Sequence, residues 1–535
     1  MTRKTLYTLL ALLFLGSSIM KAQEVYQHIT SKSIYSFLDE MANLRLIELN
    51  SAVKPYSRRF IAEKLEEIQD TAMGLNKRQL FELTFFLKDY NKELMPDKNF
   101  KKRFDILYYK DSLFTLSVNP ILGIQYWNNS NRNNYHRWNG ADIFSYVGNH
   151  LGIYASLRDN HEDKPLSNPQ YLTTRQAAKY KSGYDFSEMR GGITWSWHWG
   201  SIGLVKDHFE WGNYYNYPSI FSAKPPSITH LKLHLKPVKW LEFNYIHGWL
   251  ASGVVDSLLT YSYTNSYGTG ERTVYRKKFI AANLFTFKPF ENLFLSVGNS
   301  VIYSDMNVQP AYLIPFFFYK SVDHTLNEAG ENSGGQNSQF FFDISSRQIK
   351  HLHMYLTCFF DDIAFYRFKE NKHFDYYSFK AGFRVSDLIP NVYFTTEYFK
   401  SYPLVYKHDM PTTTFESNFY NLGHYLQDNS LEYYFDVGYN PFRTLQLKIW
   451  FDIAKHGPDH TSLGTNRIDV VNMFMDTVKW QNNTLGFSAS WQVINDVFLF
   501  AEVVHSDITG EMEKYTPPFY YGKNTTFSIG MNFGF

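Results

Sequence analysis

Lys206, Asp207, Glu210, Trp211 and Asn213 form the densest polar constellation in the sequence. A tryptophan ring beside carboxylate and amide groups can stack on a sugar ring while its neighbours hydrogen-bond the hydroxyls. The same set also fits the end of a strand, with a girdle tryptophan and lumen-facing charges. Asp361 and Asp362 can coordinate a cation or bond sugar hydroxyls. On a strand, two adjacent acids point to opposite faces, so they cannot act as a catalytic pair. The acidic stretch Asp159-Asn160-His161-Glu162-Asp163 resembles a loose calcium loop without the spacing of one, and reads as a solvated loop. His351 and His353 lie two apart and can share a strand face, but no further metal ligands stand near them in sequence. No G-x-S-x-G, P-loop or zinc-protease signature is present, so the sequence predicts no catalytic residue, no metal and no cofactor.

Composition narrows what must position these residues. The chain has 535 residues, 44% hydrophobic and 19% aromatic, with a formal charge of +2. That near-neutral balance argues against a nucleic-acid binder. One cysteine, Cys358, excludes an internal disulfide framework. Mean hydropathy is −0.36, which does not describe a helical membrane protein.

Residues 1–22 carry Arg3 and Lys4, an apolar run from Leu6 to Leu15, and Ala22 before Gln23. This predicts a secretory signal peptide cut near Gln23, too short in its apolar run to span a membrane. Residues 23–100 then read as a periplasmic helical segment. Ile34, Phe37, Leu38 and Met41 recur at helical spacing. Ser57 can cap a second helix carrying Ile61, Leu65 and Ile68. Asn76 and Gln79 make a capping-box-like start to a third, with Leu80, Leu83, Leu87 and Tyr90 on one face. Pro55, Gly74 and Pro96 punctuate the run. Three short helices bury little surface alone, so the segment is expected to pack against something larger.

From residue 104 to 535 the period changes to two. Phe114, Leu116, Val118, Pro120, Leu122, Ile124 and Tyr126 occupy every even position, and Leu445 to Ile453 and Leu485 to Val493 alternate likewise. Tight turns fall near Asn149-His150, Gly200-Ser201, Pro237 to Lys239, Pro289 to Asn292, Ser346 to Lys350, Pro390-Asn391, Pro441 to Arg443 and Asn495-Asp496. Long polar stretches separate them, at 253–275, 305–337, 403–429 and 456–483, with Gly334-Gly335 marking a flexible part. Alternating short turns and long loops predict an all-β transmembrane barrel of about 18 antiparallel strands, with short turns in the periplasm and long loops outside. Phe527, Ile529, Met531, Phe533 and Phe535 alternate to the last residue. A terminal strand ending in an aromatic residue resembles the assembly signal of outer-membrane barrels.

Tyr35-Ser-Phe-Leu-Asp-Glu-Met-Ala-Asn-Leu and Ala52-Val-Lys-Pro-Tyr-Ser57 resemble the start of Wzi-type capsule assembly proteins of the Bacteroidetes. YASLRDN at 154–160, GLVKDHFEWGN at 203–213, GNSVIY at 298–303, YLTCFFDDI at 355–363, Tyr406 with His408, and Asn421-Leu422-Gly423 fit the same group. The resemblance implies an eighteen-stranded outer-membrane barrel with periplasmic helices that binds capsular or exopolysaccharide and helps assemble or retain it. Some relatives are linked to gliding machinery.

Together these features predict a polysaccharide-binding outer-membrane protein, not an enzyme. Its expected partners are surface polysaccharide, outer-membrane lipid and, through residues 31–95, proteins at the membrane. The alternatives are a channel or a structural part of gliding or secretion machinery.

Overall fold

The computed structural model describes residues 23–71, 74–94, 105–130, 132–266, 268–326, 336–362, 376–460 and 473–534. The expected signal peptide, Pro96, Gly334-Gly335 and Phe535 lie outside them.

Eighteen antiparallel strands close into one barrel. The first six are β1 (Phe114–Asn128), β2 (Asn133–Val147), β3 (Leu151–Glu162), β4 (Asp185–Trp197), β5 (Gly200–Asp207) and β6 (Ile228–Val238). The next six are β7 (Leu241–Val255), β8 (Tyr275–Phe290), β9 (Leu293–Ser304), β10 (Asn337–Ser346), β11 (Leu352–Asp362) and β12 (Tyr376–Ser386). The last six are β13 (Val392–Ser401), β14 (Ser430–Phe442), β15 (Leu445–His456), β16 (Trp480–Ile494), β17 (Val497–Gly510) and β18 (Lys523–Phe533). Each pairs with its neighbours in sequence. β18 closes on β1, from Phe527 opposite Asn128 to Phe533 opposite Leu122, so no edge is left open. A short strand, Leu107–Lys110, lies along the start of β1.

The alternation sorts side chains between lipid and lumen. On β1, Leu122, Ile124 and Tyr126 point outward and are exposed, while Ser117, Asn119 and Ile121 are buried inside. Ile449 and Phe451 on β15, Leu485 and Phe487 on β16, and Ile529 and Met531 on β18 continue the outer apolar band. All eight expected tight turns are present. Asn292, Asn391 and Asp496 sit in three of them with φ of 56°, 66° and 60°, a left-handed backbone that asparagine and aspartate tolerate.

Two sequence readings change. The acidic stretch at 159–163 is not a loop: β3 runs through Glu162, whose side chain is buried. The polar run expected at 456–483 ends earlier, because β16 starts at Trp480. Alternation survives polar residues where they face the lumen, so polarity alone misplaced both ends.

Three helices precede the barrel: α1 (Lys32–Asn43), α2 (Arg58–Asp70) and α3 (Lys77–Leu94). The Ser57 hydroxyl accepts from Phe60 N–H at 3.2 Å and caps α2. Asn76 and Gln79 each accept the other's backbone N–H, at 2.9 and 3.0 Å, which is the reciprocal capping box. Ile34, Phe37, Leu38 and Met41 pack with Ile61, Leu65, Ile68, Leu83 and Tyr90 in one small core. Leu80, expected on that face, is exposed; Phe86 takes the buried place.

The helices sit over the short-turn end of the barrel. Asn76 and Arg78 donate to Asn391 at 3.0 and 2.7 Å, and Asn43 accepts from His351 N–H at 2.6 Å. Arg443 lies 4.0 Å from the Phe85 ring. The connection between α1 and α2 does not stay outside: residues near 49–55 dip into the lumen.

Candidate functional site

Two parts of the chain enter the lumen from opposite ends. From one side comes the N-terminal segment; from the other, the 208–227 connection between β5 and β6 folds inward. They meet as a two-residue antiparallel ladder, with Val53 opposite Trp211 and Lys54 opposite Glu210. Wall side chains grip both parts. Arg347, in the turn between β10 and β11, donates to Asn43 at 2.8 Å, to Leu49 O at 3.1 Å, to Asp39 at 2.6 Å and to Ser51 at 2.9 Å. Burial alone would raise the Asp39 carboxyl, but Arg347, His353 and Arg384 outweigh it and hold it down at about 2. On β12–β14, Lys380 pairs with Glu397 at 2.9 Å and faces Glu432 at 3.8 Å. Glu397 in turn accepts from the backbone N–H of Tyr215 and Asn216. A buried cation with two carboxylates is tolerable only when such donors satisfy the remaining oxygens.

The residues singled out from sequence divide around this seam. Asp207 faces inward and takes a two-point contact from Arg190, 3.1 Å at both oxygens, plus Tyr154 OH at 2.8 Å. Glu210 accepts from Tyr214 OH, and Lys54 Nζ lies 3.9 Å from the Tyr214 ring. Burial raises the Glu210 carboxyl above its ordinary range, with Lys54 opposing. Trp211 is 1% exposed, held edge-on between Phe221 and Phe341 at 5.1 and 5.9 Å. Asn213 accepts from Ser51 Oγ at 2.8 Å and donates to Asp343. Lys206 is the exception. It points outward and donates to Ser227 and Met189 O at the barrel rim. Glu210, Trp211 and Asn213 therefore come together at the plug seam, Asp207 stays on the lumen wall with Arg190 and Tyr154, and the strand alternation sends Lys206 to the opposite face.

The remaining candidates are scattered. Asp361 is buried and accepts from Gln339 at 3.1 Å. His351 lies in a turn with φ 72°, bonded to Ser386 O, whereas His353 points into the lumen against Tyr215 OH at 2.6 Å. The two histidines do not share a strand face, because β11 begins between them.

A strap, residues 163–184 between β3 and β4, crosses the long-loop mouth. Glu162 accepts from Arg175, Tyr180 OH and Leu166 N–H. Lys224 donates to the carbonyls of Tyr171, at 3.1 Å, and Thr173. Among the described residues no carboxylate pairs with Lys224, and burial lowers its ammonium to about 7. Beneath the strap the plug is off-centre. It packs against β6–β13 and leaves a cavity of about 900 Å³ along the other wall. The cavity runs from Asp496 and Gly534 at the short-turn end to Thr174–Ala177 of the strap. Lys32 and Ser36 of α1 face Tyr393, Lys448, Trp450 and Phe500 across it. None of these wall residues stood out in sequence. Their signal was parity: each falls on the lumen-facing register of its strand.

No protein-family model matches the sequence, and no curated protein matches it. Among solved structures, the chain is similar to Escherichia coli Wzi, an outer-membrane protein involved in group 1 capsule assembly and described as a carbohydrate-binding β-barrel. That likeness has a TM-score of 0.59 at 12% identity and covers 96% of this chain and 100% of Wzi. OprD from Pseudomonas aeruginosa aligns over 78% of this chain and 92% of its own, at 9% identity and a TM-score of 0.42. OccAB2 from Acinetobacter baumannii aligns over 78% and 97%, at 8% identity and a TM-score of 0.42. With its closed eighteen-stranded wall and its short N-terminal helices, the chain has the fold of an outer-membrane β-barrel, alike to Wzi over nearly its whole length.

Proposed function

We propose that this protein is a Wzi-type outer-membrane barrel that binds surface polysaccharide and assists its assembly or retention at the cell surface. The observation that carries this reading is the plug: Val53–Lys54 and Glu210–Trp211 join as a ladder across part of the lumen, and the strap crosses the mouth above the cavity that remains, which supports a binding scaffold over an open pore. The likeness in fold to a carbohydrate-binding barrel supports it further. In this reading the outer apolar band meets outer-membrane lipid. The short-turn end and its helices face the periplasm, where residues 31–95 are open to protein partners. The long loops and the strap face outside. Asp207, Glu210, Trp211 and Asn213 act on the polysaccharide through the loop they hold in place, and Lys206 acts at the rim.

The test is deletion of the protein with measurement of glycan on cells and in the medium. Retention predicts a shift of polysaccharide into the medium while total synthesis persists. Unchanged cell-bound polysaccharide, together with steady single-channel conductance of the purified protein, would replace this reading by that of a channel.

A further inference from the structure

Three aromatic rings line the cavity on alternate strands, and each lies over a glycine of the next strand. Tyr393 on β13 stands opposite Gly438 on β14, Trp450 on β15 opposite Gly486 on β16, and Phe500 on β17 opposite Gly530 on β18. A Cβ on these glycines would lie 2.0 Å from the Tyr393 ring, 2.1 Å from Trp450 and 2.4 Å from Phe500. The missing side chain is what lets each ring lie down on the wall. A ring lying flat turns its other face inward, and all three remain half-buried beside the cavity.

The device also occurs where the plug packs. Tyr355 on β11 lies over Gly382 on β12 in the same way. There the ring is buried, and its hydroxyl donates to Glu397 under the 208–227 connection. Along β13–β18 the Trp450 and Phe500 rings instead border the cavity, whereas the Arg384 guanidinium lies 4.3 Å from the Tyr393 ring.

Polar groups stand between the rings. One cross-strand row runs Tyr393, Gly438, Lys448, Ser488, Glu502 and Ser528, each directly opposite the next. Asp436 lies beside Trp450 in the adjoining row, and Lys448 Nζ is 4.8 Å from the Trp450 ring. Serine and glycine keep the floor low between the taller groups. Strands are about 4.8 Å apart and residues about 3.4 Å apart along them; Trp450 and Phe500 lie two strands and four residues apart in register, so about 16 Å separates them, a distance that a few linked sugars span. A pyranose offers an apolar face of C–H groups and a rim of hydroxyls. Flat aromatic faces flanked by an ammonium, carboxylates and hydroxyls match both.

We propose that the lumen wall of β13–β18 is an oligosaccharide-binding groove, with Trp450 and Phe500 as its stacking platforms. This rests on the polysaccharide-binding reading and gives it an internal site. The test uses the full chain, purified in detergent from the folded fraction. It is titrated by calorimetry with maltoheptaose, with a hyaluronan hexasaccharide and with the polysaccharide extracted from the producing cells. At least one of the two oligosaccharides binds the wild-type protein. Trp450→Ala and Phe500→Ala each weaken that binding about tenfold, taking base stacking on aromatic side chains as the analogue. Gly486→Val, which keeps Trp450 but forces its ring off the wall, does the same. Trp491→Ala on the lipid face leaves affinity unchanged. Wild-type affinity in folded Trp450→Ala and Phe500→Ala overturns the groove and leaves the rings as wall packing. If neither oligosaccharide binds while the extracted polysaccharide does, the groove is overturned and the surface reading stands. If none of the three binds, both fall.

Discussion

Val53 of the N-terminal segment lies directly opposite Trp211 of the β5–β6 connection, and the pair joins two parts of the chain that enter the lumen from opposite ends. The Trp211 ring fills the space between Phe221 and Phe341. Trp211→Ala is therefore expected to cost about 3–5 kcal/mol, the usual loss for truncating a buried tryptophan. Denaturant titration of the heat-modifiable folded form measures it. Direct stacking on a sugar would instead lower polysaccharide affinity with stability unchanged.

Acid should release the N-terminal segment. The folded Asp39 carboxyl titrates at about 2 against an ordinary 3.8, because Arg347 and its neighbours overcome the burial cost. A depressed carboxylate contributes stability that is fully present above its unfolded value and is lost as the pH falls through the folded one. Hydrogen exchange in α1 should therefore accelerate as the pH drops from about 4 towards 2. Asp39→Asn should show the faster exchange already at neutral pH.

The strap should respond in the same sense, at higher pH. Lys224 titrates at about 7 in the folded protein against an ordinary 10.5, because burial disfavours its charge. Below the folded value the buried ammonium carries its full penalty. As the pH rises from the folded to the unfolded value, the unfolded state binds more protons and the strap gains stability. Exchange protection over residues 166–180, corrected for intrinsic rate, should rise between about pH 7 and 10. Lys224→Met should flatten that rise.

Membrane orientation is open to a direct measurement. The Tyr261–Asn265 and Gly268–Arg272 strands form an exposed hairpin at the long-loop end. An epitope inserted in that hairpin should be labelled on intact cells. Labelling only after permeabilisation would place the helices outside and reverse the proposed orientation.

Local chemistry was legible from the residues. The Asn76–Gln79 capping box, the Ser57 cap and the eight tight turns depend on a few neighbouring positions, and each stands where the sequence put it. The period of two also decided which face of β1, β15, β16 and β18 meets lipid, because side-chain direction alternates along a strand except at bulges such as that at Gln492–Ile494. Leu80 shows the limit even within one helix. Its spacing matched the buried face, yet Phe86 covers the core.

The sequence by itself determined an even-numbered barrel, its turns and its helices, because periodicity and capping are short-range properties of the chain. Only the tertiary structure decided what the lumen holds. Trp211 and Asn213 looked like sugar contacts from their types, but Val53, Ser51 and Asp343 reach them from distant parts of the chain and bury them. Trp450 and Gly486 gave no signal as separate residues. Their meaning arises from strand register, which sets the ring over the position that has no side chain, and from the off-centre plug, which leaves that ring beside the cavity. Register and plug position are fixed by closing the whole sheet, and no local window of sequence contains that constraint.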